Sequence, residues 1–433
     1  MDNTDLEAAV GMSRKWDALE AGRDVAEEIL KKLKMPPNFI VLISTIHYMK
    51  HGGFQKLLDG IYDVLPENIP LIGGTATGFM NNYGVYSRGV SALAVSSKYM
   101  DVSIGYGKNT KRNPKNAARQ SINMVKKGLK HSNYEKKFLL NLISSAEIPN
   151  IPPIGRKKII RDGLAIKMVM QLFGFSQYVL QKGSGRDDEV IEEMTKLLPD
   201  YSMLGGGTLD DGAGFTNFQF FNNKVLKNSV VTLGIRTENN LDVLTTHNMK
   251  KTGINFKITK TSKDGAIIHE INGKPAASEL IRLLKWPEDI VRDETWFNIN
   301  YYFPLGFHVN NFDEKLGPRV IVGIYGESLI TTIRSKDPNA AILTIDGRSL
   351  LETVGNNLKS YPNNPSFGLV ASCAIRMVTL GKEIYKARDI MMDYFGDHPF
   401  LVFYVGGEST YSPEKSLTYA NMSFNTAIFW NKN

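Results

Sequence analysis

The sequence predicts a mixed α/β protein whose two domains each carry mixed sheets flanked by helices. Short apolar runs alternate with amphipathic stretches along the chain, the pattern of strands and helices that share a core. A Gly-rich phrase occurs twice, each time between two apolar runs, which indicates an internal duplication in the N-terminal domain. The chain has 433 residues, more than one core usually encloses, so more than one domain is expected.

The duplicated unit is predicted to contain a strand, a helix, a Gly-rich turn and a further strand. The first copy comprises residues 39–46, 54–64, 69–75 and 90–95, and the second comprises residues 138–145, 187–198, 200–208 and 230–235. Two related half-sites that face each other are a common way to form a ligand pocket. The duplication therefore makes the two Gly-rich phrases candidates for a binding site.

The chain divides into three predicted segments. Residues 1–37 are expected to form an N-terminal amphipathic helix, because apolar residues recur at helical spacing between positions 13 and 33. Residues 38–236 would form the first domain and residues 239–433 the second. Residues 148–185 have no counterpart in the first copy and are interpreted as an insertion. This insertion is expected to cover the protein's own core or a subunit partner, with a helix on a membrane surface as the alternative.

The second domain is also predicted to alternate strands with helices. The phrase INGKP is typical of a hairpin turn and leads into an amphipathic helix. The predicted strands are residues 256–261, 320–325, 342–345, 400–405 and 425–430, and the predicted helices are residues 276–284 and the later part of 366–395. The boundary with the first domain is expected near residues 236–241, where polar residues cluster.

Composition excludes several classes of protein. Cys373 is the single cysteine, so neither an intramolecular disulfide nor a cysteine-rich zinc site is expected. The N-terminus lacks the basic and apolar regions of a signal peptide. No run approaches the roughly 18 uninterrupted apolar residues of a membrane-spanning helix. We therefore expect a soluble cytoplasmic protein.

Positive charge is concentrated in one stretch. The net charge is +8, and residues 102–134 contain no acidic residue. The basic residues there are Lys108, Lys111, Arg112, Lys115, Arg119, Lys126, Lys127 and Lys130. Such a face can bind nucleic acid or anionic lipid. A solvated surface helix is the favoured interpretation, because no nucleic-acid-binding motif accompanies it, and no specific nucleic-acid partner is expected.

Five phrases in this order resemble the FIST family. They are residues 71–78 (LIGGTATG), 205–211 (GGGTLDD), 271–276 (INGKPA), 372–376 (SCAIR) and 404–408 (YVGGE). The resemblance extends over nearly the whole chain. Two departures from the family pattern are the 148–185 segment and the two glycines that stand before Glu408 in place of Tyr-Gly.

The resemblance implies tandem FIST N-terminal and C-terminal domains with a sensory role in signal transduction. Amino acids are the ligands proposed for the family, and some relatives are described as haem-based nitric-oxide sensors. Because 37 residues are too few for an F-box, neither an F-box nor an output domain is expected. The implied protein is a stand-alone sensor that binds an amino acid-like ligand between its two FIST regions and signals through a partner protein.

The chemistry of a free amino acid selects candidate residues within these phrases. A carboxylate needs a cation and an ammonium group needs acceptors. Arg376 is predicted to hold the carboxylate, and Glu408 or the Asp210–Asp211 pair the ammonium group. The candidate ligand-binding residues are Gly74, Thr75, Thr77, Gly206, Gly207, Asp210, Arg376 and Glu408. A buried Arg376–Glu408 pair that only joins a strand to a helix would produce the same sequence pattern.

Other interpretations of these residues remain open. The Gly-rich phrases could cradle phosphate, but they lack a P-loop lysine. Gly206 and Gly207 could instead only permit positive φ in a tight turn. Cys373 or the carboxylates could act in an enzyme, although a small buried residue is the favoured role for Cys373 and no catalytic set is complete. Any of the seven histidines could ligate haem, but their spacing predicts no metal site.

Overall fold

The computed structural model describes residues 5–432 except 151–154, 162–165, 167–169, 173–174, 293–294, 309–315, 333 and 335–336. Its mixed sheets flanked by helices confirm the predicted fold class. One unit occurs three times along the chain. In each copy an outer strand and a helix precede two parallel inner strands, which are followed by a hairpin and a closing strand.

The first copy lies in residues 6–97. Its elements are β1 (Leu6–Ser13), α1 (Ala18–Lys32), β2 (Phe39–Ser44), α2 (Phe54–Tyr62), β3 (Leu71–Thr75), β4 (Gly78–Asn81), β5 (Gly84–Tyr86) and β6 (Val90–Ser97). Strand β6 lies antiparallel between β1 and β2, and β2 runs parallel to β3. Strand β1 was not predicted. The helix begins only after Asp17, whose side chain accepts a hydrogen bond from the Glu20 N–H.

The second copy repeats this order and confirms the predicted duplication. Its elements are β7 (Met100–Lys108), α3 (Pro114–Gly128), β8 (Lys136–Ser144), β9 (Ile159–Ile160), α4 (Asp187–Leu197), β10 (Ser202–Thr208), β11 (Gln219–Phe221), β12 (Lys224–Leu226) and β13 (Ser229–Thr237). Strand β13 lies antiparallel between β7 and β8, and β8 runs parallel to β10. Both Gly-rich phrases are therefore inner strands, β3 and β10, and not turns.

A separate unit follows the next strand, β14 (Asn240–Thr246). Its elements are β15 (Lys250–Thr261), β16 (Ile267–Ile271), β17 (Lys274–Pro275), α5 (Ala276–Leu284), α6 (Trp296–Asn300), β18 (Leu305–His308), β19 (Leu316–Arg319), β20 (Ile321–Tyr325), β21 (Ser328–Thr331) and β22 (Asn339–Thr344). We call residues 250–344 the inserted unit. Strand β9 pairs with β20, so the predicted 148–185 insertion contributes a strand to this sheet.

The third copy resumes after the inserted unit. Its elements are β14, α7 (Gly347–Leu358), β23 (Phe367–Cys373), α8 (Ala374–Leu380), α9 (Ile384–Phe395), β24 (Phe400–Ser412), β25 (Lys415–Ala420) and β26 (Phe424–Trp430). Strand β26 lies antiparallel between β14 and β23, and β23 runs parallel to β24. The sequence did not predict this copy, because the inserted unit separates its first strand from the rest.

The three copies form a closed ring in which each lends a hairpin to a neighbour. Hairpin β11–β12 of the second copy pairs with β3 of the first, and hairpin β4–β5 of the first pairs with β24 of the third. The far half of β24, with β25, pairs with β10 of the second copy. One sheet therefore contains strands of all three copies and continues across residues 236–241, where the domain boundary was predicted.

Close packing explains the glycines of β10. A Cβ at Gly206 would lie 2.4 Å from Cγ2 of Val405, and a Cβ at Gly207 would lie 2.2 Å from the carbonyl oxygen of Gly406. Neither glycine has a positive φ. The interpretation of this phrase as a left-handed tight turn was wrong. Glycine is needed here because the paired strand β24 approaches β10 closely at an irregularity in their register.

The core lies between the sheets of the three copies. Equivalent inner strands supply Val41, Leu140 and Leu369 to one buried cluster. The outer faces are covered by α1 and α2 in the first copy, α3 and α4 in the second, and α7 and α9 in the third. Within the part of the chain that the structure describes, no helix is both long and apolar enough to span a membrane.

Candidate functional site

A cleft of about 370 Å³ lies where the three copies meet the inserted unit. This volume falls in the range of about 300–1,000 Å³ that is typical of small-molecule sites. The first copy contributes Thr77, the second Glu147 and Asp211, the third Cys373, and the inserted unit Tyr301. Residues of both predicted domains therefore line the cleft.

The two walls of the cleft differ in chemistry. On the ring side, the wall is built at the carboxyl ends of parallel inner strands, where Ser145 follows β8 and Cys373 ends β23. Ligands of α/β proteins commonly bind at such strand ends. On the side of the inserted unit, the wall is largely apolar and includes Phe297, Tyr301 and Val322. A few polar groups thus face an apolar surface.

Glu147 is the carboxylate of the cleft wall that is held by a buried cation. Its Oε1 lies 3.3 Å from Nζ of Lys111 and accepts a hydrogen bond of 3.2 Å from Nδ2 of Asn217. The Lys111 side chain has 0% exposure, and it also donates to Ser144 and Asn228. Burial lowers the pKa of Lys111, and the Glu147 carboxylate opposes that shift. Glu147 is thereby fixed at the edge of the cleft.

Lys158 supplies positive charge to the wall. Its Nζ donates a hydrogen bond of 3.4 Å to the carbonyl oxygen of Gly212, on the loop that also carries Asp211. Among the described residues, Lys158 is the one lysine or arginine that lines the cleft. The carboxylate of Glu147 and the ammonium group of Lys158 therefore line the same, predominantly apolar cavity.

Thr77 and Asp210, two of the predicted ligand-binding residues, lie beside this loop. Thr77 lines the cleft, and its hydroxyl donates to the main-chain oxygen of Asp210 at 3.0 Å. Both oxygens of the Asp210 carboxylate accept hydrogen bonds from the loop's own main-chain N–H groups. These groups belong to Gly212, Gly214, Phe215 and Thr216. Asp210 therefore shapes the loop that presents its neighbour Asp211 to the cleft.

Four other predicted residues belong to the inner strands. Thr75 accepts a hydrogen bond of 3.0 Å from the Phe218 N–H, which ties β3 to the hairpin of the second copy. A Cβ at Gly74 would lie 2.5 Å from Cγ2 of Thr208. Gly206 and Gly207 lie within β10, as described above. Close packing accounts for these positions, and none of the four lines the cleft.

Arg376 lies outside the cleft, in the core of the third copy. Its guanidinium donates to the carbonyl oxygens of Leu350 at 2.7 Å and Met422 at 3.4 Å. Burial lowers its pKa to about 10. Within the described part of the chain it forms no ion pair with Glu408. The structure thus uses Arg376 to bind main-chain carbonyls, an arrangement that neither sequence interpretation contained.

Two buried carboxyl groups lie behind the Gly406–Gly407 segment of the wall. Glu408 accepts a hydrogen bond of 3.0 Å from the Ser423 hydroxyl, and burial raises its pKa to about 8. Asp187 accepts a hydrogen bond from the Tyr419 hydroxyl, and burial raises its pKa to about 7. Gly407 has a φ of 71°, and a Cβ there would meet the Tyr419 hydroxyl oxygen. This segment of the wall therefore requires glycine where it packs against Tyr419.

Cys373 lines the cleft, but its surroundings keep the thiol protonated. The side chain is 1% exposed, and burial together with the Glu408 charge raises the pKa of the thiol well above its ordinary value. A neutral thiol is a weak nucleophile. These contacts favour the interpretation of Cys373 as a small buried residue.

The family resemblance raised the possibility of a haem ligand. Among the described residues, no histidine lines the cleft. His47 has a buried Nε2 without a hydrogen-bond partner, and its Nδ1 lies 2.8 Å from the Thr45 hydroxyl. Burial lowers the pKa of His47 to about 4. This ring packs against Trp16 and His51, in the first copy and outside the cleft lining. Within the described part of the chain, the cleft therefore offers no histidine that could ligate haem iron.

The family of this chain follows from its similarity to a known domain. The model of the FIST N domain matches residues 4–274, which is more than half of the chain. The chain belongs to the FIST family. A FIST domain is generally a sensor domain of signal transduction. The match covers the first two copies of the ring and the start of the inserted unit of this FIST protein.

Two further similarities are more limited. An uncharacterized protein of Methanocaldococcus jannaschii is 29% identical over 130 residues, which are 28% of this FIST protein and 25% of that protein. The similarity therefore spans about a quarter of the length of this curated relative. The crystal structure of cyanuric acid hydrolase from A. caulinodans shares 8% sequence identity, with a TM-score of 0.27 over 54% of this chain and 71% of that chain. That score is too low to support an argument.

Sequence reasoning missed the polar residues that the cleft of this FIST protein brings together. Lys111 was grouped with the surface cations, and Glu147 stands at the start of a proline-rich insertion. The available signal was position: Glu147 comes three residues after Ser144, the last residue of β8, at the edge where an α/β sheet places its ligands. Lys158 and the aromatic wall come from segments far apart in sequence, and only the fold brings them together.

Proposed function

We propose that this protein senses a small amino acid-like metabolite, which binds in the cleft between the ring and the inserted unit. The observation that carries this proposal is the combination of Glu147 and Lys158 in one largely apolar cavity. A zwitterion needs opposite charges at its two ends and an apolar surface for its side chain. The ammonium group would bind Glu147, the carboxylate Lys158, and the side chain the wall near Phe297 and Tyr301.

The ligand would act on the contact between the ring and the inserted unit. Arg334 donates to Asp188 of α4 at 2.6 Å, and Asn421 of the third copy donates its N–H to the Pro318 carbonyl at 2.9 Å. A ligand held by both walls would stabilise this docked arrangement relative to a more open one. The signalling partner would distinguish the two arrangements.

A charge-neutral double variant tests the ammonium contact. Glu147→Gln alone would leave Lys111 buried without its carboxylate, so Lys111→Met is combined with it. Hydrogen bonds to charged groups contribute about 1.5–3 kcal/mol, so affinity should fall about tenfold or more in the double variant. Isothermal titration calorimetry with the free amino acids, and with their deaminated and decarboxylated analogues, measures this.

Two lysines provide the matched comparison for the carboxylate contact. Lys158→Gln should weaken binding by a similar factor, whereas Lys157→Gln should leave it unchanged, because Lys157 is exposed and does not line the cleft. Unaltered affinity in both the Lys158 variant and the double variant would contradict the proposed site. Equal affinity for a deaminated analogue would contradict the proposed ligand class.

A further inference from the structure

Residues 175–180 expose an unusual set of apolar side chains. Phe175, Tyr178, Val179 and Leu180 are 54%, 48%, 49% and 57% exposed, while the two polar residues between them are buried. An amphipathic helical segment on a protein surface normally shows the opposite arrangement. We call residues 175–180 the apolar turn.

Hydrogen bonds hold the apolar turn from its inner side. Arg112 donates from Nε to the carbonyl oxygen of Tyr178 at 2.7 Å and from Nη2 to that of Val179 at 3.0 Å. Gln177 donates from Nε2 to the carbonyl oxygen of Ser184 at 2.8 Å. Carbonyl groups at the end of a helical turn need such partners. The main chain that carries the exposed side chains is therefore tied to the rest of the protein.

Basic residues lie along one flank of the apolar turn. Gln181 donates to the Asn109 side chain at 2.7 Å, which places the turn beside Lys108. Arg112 contacts the turn directly and leads into α3, whose first turn carries the exposed Lys115. No acidic residue occurs between positions 102 and 134. This flank of the turn is therefore purely basic.

The carboxylates of the neighbouring helix α4 do not cancel this charge, because they are already paired. Glu189 binds Arg186 with two hydrogen bonds of 2.6 and 2.7 Å. Glu193 lies 2.7 Å from Arg119. The unpaired surplus next to the apolar turn is positive, and it requires an anionic surface as its complement.

We propose that the apolar turn, with Lys108, Arg112 and Lys115, docks this protein on an anionic phospholipid surface. Val179 and Leu180 would enter the boundary between headgroups and acyl chains, where aliphatic side chains leave water. Tyr178 suits the headgroup level, and the cations would bind the negative surface around it. Nucleic acid also offers phosphates but gives two aliphatic side chains no hydrocarbon to enter. The docking surface is separate from the cleft, so neither proposal depends on the other.

Co-sedimentation with vesicles tests this proposal on the 433-residue chain. The protein should sediment with vesicles of phosphatidylcholine and phosphatidylglycerol, but not with phosphatidylcholine alone, and salt should weaken binding by screening. Val179→Ser combined with Leu180→Ser should lower the partition coefficient about tenfold, from the apolar area that no longer leaves water. Lys115→Glu should lower it as well.

Matched control variants distinguish docking through this surface from non-specific adsorption of the protein to vesicles. Tyr385 is 56% exposed on α9, so Tyr385→Ser should leave binding unchanged while Tyr178→Ser weakens it. Lys359→Glu, at an exposed position of the third copy, controls for Lys115→Glu. Absence of sedimentation with the mixed vesicles overturns the proposal. So does equal loss in a control variant, or a dimer in solution that Val179→Ser with Leu180→Ser dissociates.

Discussion

Replacing Lys111 by alanine is expected to destabilise the fold by about 3–5 kcal/mol, the usual cost of breaking a buried ion pair from one side. The Lys111 side chain is fully buried and that of Glu147 is 6% exposed. Without Nζ, the carboxylate loses its counter-charge, and Ser144 and Asn228 each lose a donor. Urea denaturation followed by circular dichroism measures the change in the free energy of unfolding.

Two variants define what the Lys111 result means. Lys115→Ala, on the exposed side of α3, should change stability by no more than about 0.5 kcal/mol. Lys111→Met combined with Glu147→Gln should recover much of the loss, because no uncompensated charge remains. If Lys111→Ala costs no more than Lys115→Ala, the buried pair does not exist in solution.

Stability is expected to fall by about 2 kcal/mol between pH 6.5 and pH 8, as two buried carboxyl groups lose their protons. The pKa values of Asp187 and Glu408 are raised to about 7 and about 8 by burial. In the unfolded chain both groups are already ionised above pH 6. The folded state therefore binds more protons in this window, and a rise in pH favours unfolding. Urea denaturation at a series of pH values measures the slope.

Isosteric variants show how much each carboxyl group contributes to the pH dependence of the free energy of unfolding. Glu408→Gln should remove most of it and Asp187→Asn a smaller part, while Asp211→Asn, at an exposed carboxylate, should leave it intact. His47, whose pKa is lowered to about 4 by burial, makes stability rise with pH, but this opposite effect fades above the unfolded pKa of about 6.5, where the window begins. A slope of zero, or a slope that survives both variants, would show that these carboxyl groups are ionised in the folded protein.

The repeated elements of the fold could be predicted because each carries its own pattern. The inner strand β2 is an almost continuous apolar run, and β8 is mostly apolar from Phe138 onward, since these stretches are covered on both faces. Helix α5 was predicted at its observed bounds, because the turn before it and its apolar spacing agree. Local patterns of this kind need no knowledge of the rest of the chain.

The ring could not be predicted, because its closure depends on strands far apart in sequence. Pairing of β4 with β24 joins residues about 320 positions apart and leaves no local signal. The inserted unit also places β14 far from β23 and conceals the third copy. The Gly-rich phrases were interpreted as tight turns. At Gly206, however, glycine is required because another strand lies too close for a Cβ.

The sequence pointed to some strand ends that line the cleft, but it did not identify the charged side chains Glu147 and Lys158 that lie there. Thr77 and Cys373 were singled out and do line the cleft. Arg376 and Glu408 are charged residues of the kind that binds ligands, but both side chains are buried in the protein interior. The sequence shows that a charged side chain is present. Whether that side chain lines a cavity or binds main-chain carbonyl groups in the core depends on how the neighbouring strands pack.

A variant that fills the cleft between the ring and the inserted unit shows whether the ligand binds there. Ala374 lines the cleft, so Ala374→Trp would place an indole ring in a cavity of about 370 Å³. A thermal-shift screen with free amino acids should raise the melting temperature of the wild type by several degrees for one class of them. Ala374→Val should retain that shift and Ala374→Trp should lose it. An equal shift in the tryptophan variant would show that the ligand binds outside this cleft, and no shift in the wild type would exclude free amino acids as ligands.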